Sequence, residues 1–266
     1  MSAPFVTVVI PAYNEERRIT STLEEVVGYL AAQAYAWDVV VADDGSADST
    51  ASLVQRFAQA HPQVNLLRLP HRGKGGAVRA GMLHATGQYR FLCDADLSMP
   101  VQQLDRFLPP RLTGCDVAVG SREAPGARRF DEPALRHLLG RGFNGLVRAL
   151  AVRDLQDTQC GFKCFRAEAA ERLFPLQRLF GFGFDVELLF LARRMGMRLV
   201  EVPIDWYYRR ESKVRLFKDS LAMASDLLRV RWDAWRGRYG RLERLPGPEE
   251  PGRSPRASLG DADDKP

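Results

Sequence analysis

Four times before residue 97 the chain runs a short apolar stretch into an abrupt polar cluster, and three of these clusters lead into helical spacing. Phe5 to Ile10 is apolar and β-branched and is broken by Pro11 and Asn14. From about Glu15 to Gln33, Ile19, Leu23, Val26, Val27 and Leu30 then recur on one helical face. Trp37 to Ala42 stops at Asp43-Asp44-Gly45-Ser46, and a helix follows from about Ser49 to Ala60. Val64 to Leu69 precedes Gly73-Lys74-Gly75-Gly76, which opens a helix reaching about Ala85, and Tyr89 to Cys93 ends at Asp94. Runs that are apolar at consecutive positions suit strands covered on both faces, as in parallel sheet. Strand–helix alternation predicts right-handed βαβ units and a mostly parallel sheet flanked by helices, an α/β domain. Ligands of such sheets bind beyond the carboxyl ends of the strands. The topology therefore gathers Tyr13-Asn14-Glu15, Asp43-Asp44, His71 to Lys74 and Asp94 to Asp96 on one rim.

The second half is less regular. Cys115 to Val119 and Gly161 to Arg166 read as strands, and Pro133 to Ala151 and Phe184 to Met195 as helices. Leu199 to Trp206 reads as one strand, with Pro203 marking an edge or bulge. A long helical pattern runs from about Phe217 to Tyr239. Residues 1–215 are thus expected to form a single domain, 216–245 a helical extension and 246–266 a disordered tail rich in Pro, Gly and charge. A length of 266 residues suits one large domain with its own core.

The net charge of +5 favours anionic partners without choosing among them. Two of the four cysteines lie in strand-like runs, where Cys acts as a small hydrophobe, and Cys160 and Cys164 have no histidine cluster near them, which argues against zinc. A reducing, intracellular compartment is expected. Neither a signal peptide nor a run of about 18 apolar residues is seen, so membrane contact, if made, is expected at the surface.

Asp94-Ala95-Asp96 places two carboxylates just past an apolar strand. Hard divalent cations such as Mg²⁺ and Mn²⁺ take one or two carboxylates together with substrate phosphates. An isolated pair of this kind is more often an acidic turn; the strand end reverses that balance. Asp43-Asp44-Gly45-Ser46 admits two readings: a turn in which Asp44 or Ser46 caps the next helix, or an aspartate bonding a base or ribose. Arg72-Gly73-Lys74-Gly75-Gly76 is no Walker A loop, since position 68 is not glycine and Lys74 is followed by neither Ser nor Thr. Glycines at a helix start still free N–H groups toward an anion. Among the basic residues Arg122 stands just past a strand end, where guanidinium suits a phosphate, while Arg128, Arg129, Arg136 and Arg141 are ordinary surface candidates.

Taken in order, these segments resemble the inverting glycosyltransferases of family 2 with the Rossmann-like GT-A fold, and among them dolichyl-phosphate β-glucosyltransferases and bacterial polyprenyl-phosphate relatives. The resemblance is carried by Val9-Ile10-Pro11-Ala12-Tyr13-Asn14-Glu15, Ala42-Asp43-Asp44-Gly45-Ser46, Gly73-Lys74-Gly75-Gly76-Ala77-Val78-Arg79 and Asp94-Ala95-Asp96-Leu97-Ser98. Gly120-Ser121-Arg122, Asp157 to Lys163, Phe184-Asp185-Val186-Glu187 and Ser212-Lys213 continue it, so that it spans about residues 5 to 235. It implies that Pro11, Ala12, Tyr13 and Glu15 line a nucleoside site, that Asp44 bonds the base beside Asp43, and that Lys74, Asp94 and Ala95 belong to the nucleotide site. It further implies that Asp94 and Asp96, with Ser98 alongside, hold the donor diphosphate through Mg²⁺ or Mn²⁺. Asp96, Arg122 and Lys213 would be catalytic, and Arg122, Lys213, Arg209 and Arg210 would grip the acceptor phosphate. Glu211 stands where the family has glycine before Ser-Lys, and the membrane-spanning helices of some relatives are not seen.

The expected activity is transfer of glucose from UDP-glucose to a polyprenyl or dolichyl phosphate on the cytoplasmic face of a membrane. GDP-mannose is the rival donor, and a soluble or polysaccharide acceptor the rival class. The Phe217–Tyr239 pattern, with Trp232, Trp235 and arginines, suits either a membrane interface or ordinary packing. No helix-turn-helix or aromatic–basic RNA motif is present, and nucleic acid is not an expected partner.

Overall fold

The computed structural model describes residues 3–132, 145, 155–208, 216–240 and 242, with the backbone only over 216–224. The chain order is β1 (Val6–Ala12), α1 (Ile19–Ala31), β2 (Trp37–Asp43), α2 (Thr50–Ala60), β3 (Val64–Arg68), α3 (Lys74–His84) and β4 (Tyr89–Cys93). A 3₁₀ segment (Val101–Phe107), β5 (Val117–Ser121) and β6 (Arg128–Phe130) follow. The chain closes with β7 (Phe162–Arg166), α4 (Ala167–Leu173), α5 (Phe184–Arg194), β8 (Leu199–Pro203), β9 (Asp205–Tyr207) and α6 (Leu216–Trp235). The helix expected over Pro133 to Ala151 falls outside the described residues but for Gly145, as does the tail after residue 245.

Among the described residues seven strands form one sheet in the order β3-β2-β1-β4-β7-β5-β8, and β6 pairs with β9 in a small parallel ribbon. β1 pairs in parallel with β2 and β4, and β2 with β3, as the alternation predicts. Consecutive apolar residues serve opposite faces. Val8, Val39, Val41 and Phe91 join the core under α1 and α2, while Val9, Val40 and Leu92 join the one under α3, α4 and α5. Each such side chain contributes roughly 1.5–3 kcal/mol by leaving water. The α1 face holds Ile19, Leu23, Val26, Val27 and Leu30, the residues its spacing indicates.

Three features depart from the sequence reading. β1 does not stop at Pro11 but runs to Ala12. Its pairing with β4 ends at Val9, so the proline's missing donor breaks nothing in that ladder. β7 lies antiparallel between β4 and β5, which makes the sheet mixed. Leu199 to Trp206 is two strands rather than one: β8 is the sheet edge, ending at Pro203, and β9 belongs to the small ribbon. Among the described residues no helix is long and apolar enough to cross a membrane.

Candidate active site

The chain builds outward from β1 to β2 and β3, then returns to place β4 on the other flank of β1. The loops after β1 and β4 both lead to the face that carries α1 and the 3₁₀ segment, and they lie side by side at the rim beyond the strands' carboxyl ends, where such sheets bind ligands. Tyr13 leaves β1 at this rim and Asp94 leaves β4, with β2 contributing Asp43 and Asp44 beside them.

On the β1–β2 side, Tyr13 is about one-third exposed and stacks on His71, with ring centroids 4.2 Å apart. Asp44 is buried and organises the loop beneath that pair. Its carboxylate accepts the N–H groups of Arg72 (2.8 Å) and Gly73 (2.9 Å) and lies 2.8 Å from His71 Nδ1. Asp43 accepts the hydroxyl of Ser46, closing its own turn. Neither Asp44 nor Ser46 caps α2: Ser49 holds the N-cap position without a side-chain cap, and the N–H of Thr50 donates to Asp48 at 2.9 Å. Asn14, in the left-handed region at φ 50°, ties the two loops together by donating its N–H to Ser46 Oγ and accepting from Ala47 N. Glu15 donates its N–H to Thr50 Oγ1 and pairs with Arg18 at 3.0 Å. Pro11 and Ala12 are buried at the strand end.

On the β4 side, Lys74 Nζ lies 2.7 Å from Asp94 Oδ1. Burial would lower the lysine's pKa, but the charges of Asp94, Asp185 and Asp96 outweigh it and hold Lys74 above its ordinary value. Asp94 also abuts Gly161 so closely that a Cβ there would sit 1.9 Å from Oδ2. Ala95 O accepts the hydroxyl of Thr22 at 2.7 Å, which anchors the turn to α1. Asp96 accepts the N–H of Ser98 at 2.9 Å, and Ser98 O accepts from Tyr207 N at 2.7 Å. Among the described residues no three His, Cys, Asp or Glu side chains converge as a metal cage. Two partly exposed carboxylates one residue apart do fit Mg²⁺ or Mn²⁺, whose remaining oxygen ligands would come from a diphosphate and water.

The glycines that open α3 serve packing, and the N–H groups of Gly73 and Gly76 donate within the protein. A Cβ on Gly75 would meet Leu179 O and Phe184 Cβ at 2.8 Å, and Gly73 (φ 104°) presses on Phe180 O. The Gly76 N–H donates to Gly73 O and Phe180 O.

Arg122 follows β5, as predicted, but its guanidinium already has a partner. Nε and Nη2 donate to the two oxygens of Asp157 at 2.6 and 2.9 Å, and the group lies over the Trp206 ring. Burial pushes Asp157 up, yet the charge and hydrogen bonds of Arg122 prevail and hold it below the usual carboxylate range. Arg128 pairs with Asp205, and Arg129 with Glu123 and Glu132. Arg209, Arg210 and Lys213 lie outside the described residues, as do Arg136 and Arg141.

Sequence reasoning named no role for four buried charges around this centre: Asp157, Lys163, Asp185 and Glu187. Lys163 Nζ sits 2.6 Å from Asp185 Oδ1 and donates to Cys160 O, which fixes the segment that carries Gly161. Glu187 accepts the N–H of Leu179 and the hydroxyl of Tyr239, both within 2.8 Å. Their signal was present: charged residues inside otherwise apolar runs, such as Lys163 between Phe162 and Cys164. All four cysteines are free and buried, and burial pushes the Cys160 thiol up to about 12, in keeping with small inert core residues.

The profile described as "Glycosyl transferase family 2" matches residues 7–174, well over half of the chain. The chain belongs to that family. It is a glycosyltransferase with a GT-A-like fold. A dolichyl-phosphate beta-glucosyltransferase of Trichomonas vaginalis is 39% identical over 241 residues, covering 86% of this chain and 71% of that protein. Proteins of the same name from Saccharomyces cerevisiae and Homo sapiens are 35% and 34% identical, over 85% and 87% of this chain and 74% and 77% of theirs. Among solved structures, glucosyl-3-phosphoglycerate synthase from Mycobacterium tuberculosis, in complex with Mn²⁺, UDP-glucose and phosphoglyceric acid, superimposes with a TM-score of 0.61 at 22% identity, covering 85% of this chain and 78% of that one. That likeness is one of fold.

Proposed function

We propose that this family 2 enzyme moves glucose from UDP-glucose onto the phosphate of a dolichyl or polyprenyl lipid, giving a β-linked product. The observation that carries the reading is the rim beyond β1, β2 and β4, where Asp44 shapes the loop under Tyr13 and Lys74 meets Asp94. The names of relatives 34–39% identical support the acceptor and sugar.

In this reading Pro11, Ala12, Tyr13 and Glu15 line the nucleoside site. Asp44, with Asp43 beside it, bonds the base through capacity left on a carboxylate that has about four acceptor positions. Bound by Asp94 and Asp96, with Ser98 alongside and Ala95 in the turn, Mg²⁺ or Mn²⁺ would neutralise charge building on the leaving diphosphate. Lys74 adds a second positive charge there. Arg122 offers the acceptor phosphate the guanidinium edge that Asp157 does not take, and Lys213, Arg209 and Arg210 complete that grip. An acceptor phosphate oxygen attacks the anomeric carbon as the bond to the diphosphate breaks, and UDP departs with the electron pair. One displacement inverts the α-linked donor. Because the nucleophile is already anionic, the task is to hold two anionic reactants in line, and no strong general base is invoked. A lipid acceptor places the enzyme peripherally on a membrane, in this reading on its cytoplasmic face.

The test is incubation with Mn²⁺, radiolabelled sugar nucleotides and a short polyprenyl phosphate. Butanol-extractable label from UDP-glucose is expected. Label from GDP-mannose alone overturns the donor, and absence of any lipid product overturns the acceptor.

A further inference from the structure

We infer that the outer face of α6 is a docking surface for an anionic lipid bilayer, seated through Leu228, Trp232 and Trp235. The inference rests on the reading of the acceptor as a lipid and says where the protein meets it.

The roll of α6 is fixed from its inner side. Leu227, Val230 and Asp233 are buried at three-residue spacing. Asp233 is held by Arg238 at 2.8 Å, and beyond the helix Tyr239 donates to Glu187. At 100° per residue this orientation leaves Leu228, Trp232 and Trp235 within about 60° of arc on the opposite face. They are 61%, 50% and 76% exposed. Trp37 and Trp206, by contrast, are half-buried and buried. Exposed tryptophans are costly in water and favoured at a headgroup boundary, where an apolar ring carries a polar N–H. The two rings lie 5.1 Å apart, and Arg236 covers Trp232 at 4.6 Å.

Charge selects the occupant. Exposed Arg229, Arg231 and Arg236 flank the apolar arc on both sides. Between residues 225 and 236 the two acidic residues turn inward: Asp233 is buried, and Asp226 lies against Gly183. An apolar stripe with an arginine rim matches an anionic lipid surface. A second copy of the same face would set arginine against arginine.

Flotation of the full chain with vesicles of phosphatidylcholine and phosphatidylglycerol tests this. The wild type should float, with tryptophan emission shifting to the blue. Trp232→Ala/Trp235→Ala should lower the bound fraction about tenfold, and Arg236→Glu should weaken binding to anionic but not to purely zwitterionic vesicles. Transfer to a short, water-soluble polyprenyl phosphate without vesicles should be unchanged in all of them. Undiminished flotation of the tryptophan variant overturns the inference. So does wild type that glycosylates the short acceptor yet stays off vesicles, or a dimer that the tryptophan substitutions break in place of vesicle binding. Tryptophan-dependent flotation without transfer to any polyprenyl phosphate supports the docking surface and instead overturns the proposed acceptor.

Discussion

At Asp94 a lysine ammonium, a glycine Cα and the buried end of β4 converge, so the orientation of the carboxylate is set before any ligand arrives. Asp96 differs: its carboxylate accepts one backbone N–H, that of Ser98. That contrast assigns Asp94 to a fixed position and leaves Asp96 with the greater capacity for a cation. Asp96→Asn should therefore reduce turnover by at least about a hundredfold while leaving the unfolding free energy within about 1 kcal/mol of wild type. EDTA should mimic it and Mn²⁺ reverse the chelation; wild-type-like turnover in the variant would refute the assignment. At Asp157 the question is charge. Its folded pKa is held below the ordinary 3.8, so its stabilising contribution is full above that value and is lost as pH falls through the lowered one. Asp157→Asn should cost about 3 kcal/mol near neutrality, by leaving Arg122 largely buried and unpaired. It should also flatten the loss of stability below about pH 4 in urea titrations taken at successive pH values.

At the scale of the element, two glycines in helices make opposite predictions. Gly28 lies within α1, and a Cβ there would meet nothing within 4 Å. Gly28→Ala should stabilise by about 0.5–1 kcal/mol, since the unfolded chain loses freedom that the helix never used. Gly75 in the first turn of α3 gains the same propensity, but its Cβ would meet two groups at 2.8 Å, one of them backbone. Overpacking of that kind costs about 1–3 kcal/mol, so Gly75→Ala should be net destabilising in the same urea assay. Equal effects at both positions would show that propensity alone governs these helices.

Across the whole molecule, Glu187 joins distant segments. From α5 it reaches the loop at Arg178 and Leu179, which packs on the start of α3, and the hydroxyl of Tyr239 beyond α6. The C-terminal helix is thereby coupled to the loop that packs on the start of α3, beside Lys74. Burial holds the Glu187 pKa above its ordinary value, so each hydrogen bond to its carboxylate matters. Tyr239→Phe should cost about 1.5–3 kcal/mol. By hydrogen exchange, the loss of protection should concentrate in α6 and residues 177–181, with β1 and β4 unchanged. Uniform loss across the sheet would show that Glu187 serves global stability instead.

Much of this was legible along the chain. Consecutive apolar runs ending in polar clusters specify buried parallel strands, because a strand covered on both faces cannot alternate. Such a sheet gathers its functional residues at one rim, which is why Tyr13, Asp44, Lys74 and Asp94 could be named together from spacing alone. The sequence could not reveal the antiparallel insertion of β7, since strand direction depends on the path of the intervening chain and not on local pattern. Nor could it reveal that Asp157 takes Arg122, that Asp185 takes Lys163, or that Gly161 confines Asp94. These partners lie 22 to 67 residues apart and meet only because β7 lies between β4 and β5 and α5 packs against that sheet. Local propensity and periodicity decide which face of a segment is buried. Which charges are neutralised there is a matter of distance in space, and only the tertiary fold sets it.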